Sequence, residues 1–235
     1  LAKQCATIDA LSEGRLLPGF GIGSPLAPEW QAMALDVKER GRRTDEALEV
    51  IRLLWTGERV DFTGRHYTLR GASIAPVPAQ AELPMWIGGG SDAAVKRTAR
   101  SGTGWQGGPE TPAEAGAVIA GIRAALAETG RTIEEDHYGA AFAYRFGTAD
   151  EPGVVRAMEG YRRRTGRDPA ERFVVGGAEQ VLARIADYVA AGVSKFILRP
   201  AASGEEEMLT QSRLLIEQVL PAVAVRWPRP RKVAA

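Results

Sequence analysis

The sequence contains one cysteine, Cys5, and two histidines in 235 residues. A lone thiol excludes an intrachain disulfide. Set in an apolar helical pattern, Cys5 reads as core rather than as a nucleophile. No His/Cys/Asp/Glu cluster has the spacing of a metal site, so no metal is expected. An excess of one charge is also missing, since 30 basic residues stand against 29 acidic ones. That balance argues against nucleic acid and against an anionic membrane as partners. The basic clusters at Arg162 to Arg164 and at Arg226 to Lys232 read as solvated faces or tails. No apolar run is long enough to span a bilayer, and no signal peptide is visible, so the expected location is cytoplasmic. The sequence begins without an initiator methionine, inside a helical pattern, and an N-terminal part is expected to precede it. No GxSxG nucleophile elbow occurs.

Glycine, by contrast, is plentiful and placed with regularity. Leu83 to Ile87 is a short apolar run that ends in Gly88-Gly89-Gly90-Ser91, after which Asp92 to Arg97 begin a helical pattern. Glycines let a backbone approach a ligand closely, and a helix start presents unpaired N–H groups and a positive dipole end. Strand, glycine loop and helix together suit a phosphate, although an ordinary βα turn has the same local sequence. A second strand over Arg15 to Phe20, weakened by Pro18, ends in Gly21-Ile22-Gly23-Ser24.

The rest of the chain alternates in the same way. Helices are expected over Leu1 to Leu11, Lys38 to Trp55, Ala93 to Ser101, Thr111 to Thr129, Gly153 to Arg164, Ala178 to Ala190 and Glu205 to Val225. Further strands are expected over Gly104 to Gln106, Tyr138 to Phe146, Phe173 to Val175 and Lys195 to Pro200, and a small β-hairpin near residues 58–70. Strands alternating with helices, with glycine or charge at successive strand ends, argue for an α/β fold with a parallel sheet. Ligand groups spread over many strand ends favour a (β/α)8 barrel over a doubly wound sheet. Only five strands are convincing, so about three of the eight are expected to be absent. The whole of 1–235 is expected to be one domain.

Several of these segments resemble the luciferase-like flavin-dependent oxidoreductase family, which includes the coenzyme F-420-dependent enzymes. They are Leu1 to Gln4, Thr7 to Asp9 and Leu11 to Arg15 with Gly19 to Gly23, Glu39 to Glu46, Leu53 to Gly57, Gly64 to Tyr67, Pro84 to Ser91, Gly102 to Trp105, Val175 to Val181 and Phe196 to Pro200. The resemblance covers nearly the whole chain. It implies strands four to eight of a luciferase-like barrel, holding coenzyme F-420 or FMN, with Ser194 to Pro200 closer to the deazaflavin branch. It places the cofactor phosphate at Gly88, Gly89, Gly90 and Ser91, and the ring or its side chain beside Gly21, Ile22 and Gly23. Ser24, Gln106 and Arg199 are the expected rim or substrate residues. The implied reaction is hydride transfer to or from a small organic substrate, with monooxygenation open if FMN is used. A homodimer stays open, as does an inactive cofactor-binding remnant.

Other residues are undecided. Tyr144 and Arg145 end a strand, and alternation turns only one of them inward. Trp105 reads equally as core or as ligand contact. His66 falls in the hairpin and His137 at a strand start, the stability side of a barrel, so no catalytic acid or base is assigned. Another phosphate-binding barrel enzyme would need a Lys or Glu at a strand end, whereas Lys195 begins its strand.

Overall fold

Proline and glycine set the limits of the first strand. Pro18 has no N–H to give a sheet, and only Gly19–Phe20 (β1) pairs, after the helix Ala2–Leu11 (α1) has been stopped by Gly14 at φ 76°. The sequence-based strand from Arg15 is therefore shorter than expected; the Pro18 carbonyl still accepts from Trp86 N at 3.1 Å. The computed structural model describes residues 1–228, so Arg229 to Lys232 of the basic tail lie outside the described residues.

In order there follow Glu29–Ala32 (α2), a 3-10 turn Val37–Glu39, Arg40–Trp55 (α3), Val60–Thr63 (β2), Thr68–Ala72 (β3), Trp86–Gly88 (β4), Asp92–Ser101 (α4), Gly104–Gln106 (β5) and Pro112–Thr129 (α5). Then come Tyr138–Phe146 (β6), Pro152–Thr165 (α6), a 3-10 turn Pro169–Glu171, Phe173–Gly176 (β7), Ala178–Ala190 (α7), Lys195–Pro200 (β8), Glu205–Gln218 (α8) and Leu220–Arg226 (α9). The expected last helix is two, because Pro221 sits in the first turn of α9 and cannot continue α8. Thr111 and Glu114 cap α5 reciprocally: Thr111 N donates to Glu114 Oε2 at 2.7 Å, and Glu114 N to Thr111 Oγ1 at 3.3 Å. Among the described residues no helix is long and apolar enough to cross a membrane.

By internal packing the chain divides into two units, Leu1–Gln106 with Val118–His137, and Gly107–Ala117 with the residues from Tyr138 onward. In the first, β4 lies between β1 and β5, all parallel, with Phe20 opposite Ile87 and Gly88 opposite Gln106. Met85 and Ile87 bury against Leu48 and Ile51 of α3 and Ala2 of α1. Each large aliphatic side chain so buried contributes about 1.5–3 kcal/mol. Glu46 pins the β2–β3 hairpin by accepting from His66 N at 2.9 Å and Tyr67 N at 2.7 Å.

In the second unit β6 lies between β7 and β8, again all parallel. Its sequence alternates aromatic with small residues. Phe142 and Tyr144 are buried, and Phe142 stacks on Tyr188 of α7 with centroids 5.9 Å apart. The opposite face carries Ala141, Ala143 and Arg145. Small side chains there leave room that aromatic residues would have filled.

Candidate functional site

In the first unit the strand pairing brings the two glycine loops together. β1 and β4 are parallel neighbours in register, so Gly21–Ser24 and Gly88–Ser91 leave the same C-terminal edge side by side. Gln106 ends β5 on that edge, opposite Gly88.

The loop after β4 is built for a close approach. Gly89 has φ 108°, a conformation that favours glycine, and a Cβ there would stand 3.3 Å from the Ala94 Cβ. Its carbonyl accepts from Trp105 Nε1 at 2.9 Å. Trp105 is fully buried, so it acts as core that also buttresses the loop. Ser91 caps α4, its Oγ accepting from Ala94 N at 3.3 Å. The amides of Asp92 and Ala93 have no acceptor among the described residues and are the free N–H groups of the helix start. Asp92 already places a carboxylate in this first turn.

The loop after β1 is more open. A Cβ on Gly21 would meet nothing within 4 Å. Gly23 has φ 75°, and a Cβ there would stand 3.2 Å from the Trp30 ring, while Trp30 Nε1 donates to the Ser24 carbonyl at 2.8 Å. The Ser24 hydroxyl accepts from Leu26 N at 3.2 Å and so shapes its own turn.

Of the remaining residues in this unit, the histidines serve structure. His66 lies in the hairpin, with its Nε2 3.5 Å from Glu39. His137 holds the Thr103 carbonyl through Nδ1 at 2.8 Å, at the strand-start side. Glu134, Asp136 and His137 do place three possible ligand atoms within 4.8 Å of one another, a grouping the sequence spacing did not reveal. Arg97 is buried and pairs through Nε with Asp45 at 2.7 Å.

Arg199 belongs to the second unit, where it lines a cavity of about 750 Å³. Five arginines and two glutamates contribute to its wall. Both glutamates are engaged by Arg145: Nε donates to Glu151 at 3.1 Å, and Nη1 pairs with Glu207. Burial works to lower the Arg145 pKa, but the two carboxylates outweigh it and hold it above its ordinary value. Tyr144, next in sequence, is buried on the other face, so alternation turns Arg145 toward the cavity. Arg172 was not anticipated. It is buried, donates through Nη1 to the Gly108 and Ala141 carbonyls, and is pushed below its ordinary pKa by desolvation and by Arg199. Nothing local in the sequence marks it, because its setting depends on where β6 and β7 lie.

Parallel strands alternating with helices, with glycine loops at strand C-termini, define an α/β protein of the barrel type. The family described as luciferase-like monooxygenase matches residues 1–162, and the chain belongs to that family. An F420-dependent glucose-6-phosphate dehydrogenase of Nocardia farcinica is 39% identical over 108 residues, 45% of this chain and 32% of the relative. An uncharacterized protein of Mycobacterium tuberculosis is 35% identical over 133 residues, 56% of this chain and 45% of the relative. The chain thus spans less than half the length of these curated relatives. Among solved structures, an F420-dependent secondary alcohol dehydrogenase matches with TM-score 0.79 at 19% identity, covering 94% of this chain and 74% of the other. A monooxygenase from Streptomyces bottropensis matches with TM-score 0.77 at 24% identity, covering 95% and 73%. These likenesses show the luciferase-like α/β barrel fold expected from the sequence.

Proposed function

We propose that the chain forms part of an oxidoreductase that binds coenzyme F-420 or FMN and acts on a small organic substrate. The observation that carries this reading is the pairing of β1 with β4, which sets the Gly21–Ser24 and Gly88–Ser91 loops side by side at one strand edge. The residues fit such a cofactor. Asp92 and Ala93 offer unclaimed amides at a helix start, where a phosphate is favoured. The open space beside Gly21 suits a ring or its side chain. The cofactor, when bound, would supply hydride transfer, and FMN would also permit oxygen chemistry.

The protein's own part is to position and shield. Trp105 fixes the Gly89 carbonyl from below, which keeps the loop amides in one orientation without an ordering cost on binding. The Ser91 hydroxyl holds the helix start, and Gln106 stands on the same edge for a substrate or ring contact. Family relatives with F420-dependent and monooxygenase names support both cofactors, and a cytoplasmic enzyme is part of the same proposal. Fluorescence titration of the purified chain with FMN and with F-420, separately, tests it. Saturable binding of one is expected; binding of neither would overturn it.

A further inference from the structure

Two buried polar atoms without hydrogen bonds face each other where the β2–β3 hairpin meets the start of α3. His66 Nε2 and Glu39 Oε2 are both buried with no hydrogen-bond partner among the described residues, and they stand 3.5 Å apart. The His66 side chain is 8% exposed. Its backbone is fixed independently of the pair: His66 N and Tyr67 N donate to Glu46 of α3 at 2.9 Å and 2.7 Å, and Gly64 N donates to the Tyr67 carbonyl at 2.9 Å. Glu39 ends the 3-10 turn Val37–Glu39, which Asp36 caps by accepting from Lys38 N at 2.9 Å. Bonds outside the pair thus hold the ring against the carboxylate.

A carboxylate oxygen buried without a donor is costly. A neutral imidazole has one N–H, on either nitrogen, whereas the imidazolium has both and a positive charge. Only the charged ring always presents a donor and a counter-charge to Glu39. The neighbouring charges compete weakly for that place. Arg42 of α3 and Arg65 of the hairpin approach Glu39 at 3.4 Å and 3.6 Å, but both side chains are largely exposed and screened by solvent. Arg40 spends Nη1 on the Val37 carbonyl, and Arg43 lies over the Tyr67 ring at 5.6 Å. Glu46 adds a second negative charge. Burial works to raise its pKa, but the backbone bonds from Tyr67 and His66, the His66 charge and the Arg65 backbone bond hold it below its ordinary value.

We propose that His66 and Glu39 form a proton-operated latch that fastens the tip of the β2–β3 hairpin to the turn opening α3. With a proton taken from solvent, the pair is a buried charge-assisted bond. Without it, Glu39 loses its buried counter-charge and the contact loosens. Imidazole is the side chain that changes charge between about pH 5 and 8. The fastening is therefore full on the acid side of that window and fades as the pH rises through it. The turn is also where the segment that leaves β1 through Gly21–Ser24 rejoins α3, so the latch sets how firmly the far end of that segment is held. The latch stands on this pair and does not depend on the cofactor reading.

Amide exchange of the purified chain at about pH 5.5 and about pH 8, corrected for the intrinsic pH dependence of exchange, tests the latch. The amides of Gly64, His66 and Tyr67 at the tip, and of Glu39 in the turn, are expected to be protected about three- to tenfold more at the lower pH. His66→Gln keeps a donor but takes up no proton, and Glu39→Gln keeps the shape but removes the charge. Each is expected to abolish the pH dependence in a chain that stays folded by circular dichroism. Nuclear magnetic resonance titration of the wild-type protein checks the latch without a variant: the tip amides should shift with the midpoint of the His66 ring. Protection that ignores pH, that rises with pH, or that keeps its pH dependence in either folded variant would overturn the proposal. So would tip amides whose midpoint differs from that of the ring.

Discussion

The indole Nε1 of Trp105 donates to the Gly89 carbonyl at 2.9 Å, tying the middle of β5 to the glycine loop that follows β4. Trp105 is fully buried, so the bond is shielded from water and fixes the loop to the core. Trp105→Phe keeps most of the apolar volume but leaves the Gly89 carbonyl short of a donor. The expected cost is about 1–3 kcal/mol in urea-induced unfolding, with cofactor affinity falling about tenfold as the loop loosens. Unchanged affinity in a folded variant would show that the bond does not position the loop.

Gly89 itself is expected to tolerate little. At φ 108°, with a Cβ set 3.3 Å from Ala94, Gly89→Ala should cost about 1–3 kcal/mol through strain. Gly89→Asp adds a carboxylate to the proposed phosphate seat and should abolish cofactor binding while a folded population remains. Wild-type affinity in that variant would remove the loop from the site.

Asp9 supplies a pH prediction. It is fully buried, accepting from Gln80 N at 2.9 Å and from Gln80 Nε2 at 2.7 Å. Burial works to raise its pKa, but hydrogen bonds, led by those from Gln80 and joined by backbone bonds at Leu16 and Ala79, together outweigh this and the carboxyl lies below its ordinary value. A depressed carboxyl stabilises the fold above the unfolded pKa of about 4, and that contribution fades as pH falls through the folded value. Asp9→Asn should therefore lower the melting temperature at pH 7 and narrow its gap to wild type as the pH is lowered below about 4. A gap that stays constant with pH would contradict this account.

Arg97 offers a test of a buried charge. It is 4% exposed and paired with Asp45, which Arg100 also engages. Asp45→Ala strands the Arg97 guanidinium and should cost about 3–5 kcal/mol in equilibrium unfolding. Replacing exposed Arg100 by Ala should cost no more than about 1 kcal/mol. Equal costs would mean that burial does not set the strength of this pair.

Periodic elements were legible in the sequence because one face decided them. Ala178–Ala190, Tyr138–Phe146 and Lys195–Pro200 have the expected bounds. The first strand was over-read: Arg15 to Pro18 look apolar enough, but pairing begins only at Gly19. The two glycine loops could be found locally, since backbone freedom is a property of the residues themselves. That they share an edge, with Gln106 beside them, follows from the β1–β4–β5 order, which no local pattern contains. Arg172 and Tyr161 escaped notice for the same reason. Each looks like an ordinary polar residue in its own segment, and only the packing around β6 and β7 buries them along one cavity.

The central claim is that the paired loops hold the cofactor, and hydrogen–deuterium exchange tests it most directly. On saturation with FMN or F-420, the amides of residues 21–24 and 88–94 should exchange more slowly together, with the hairpin β2–β3 unaffected. Saturable cofactor binding that leaves both loops unprotected would contradict the account.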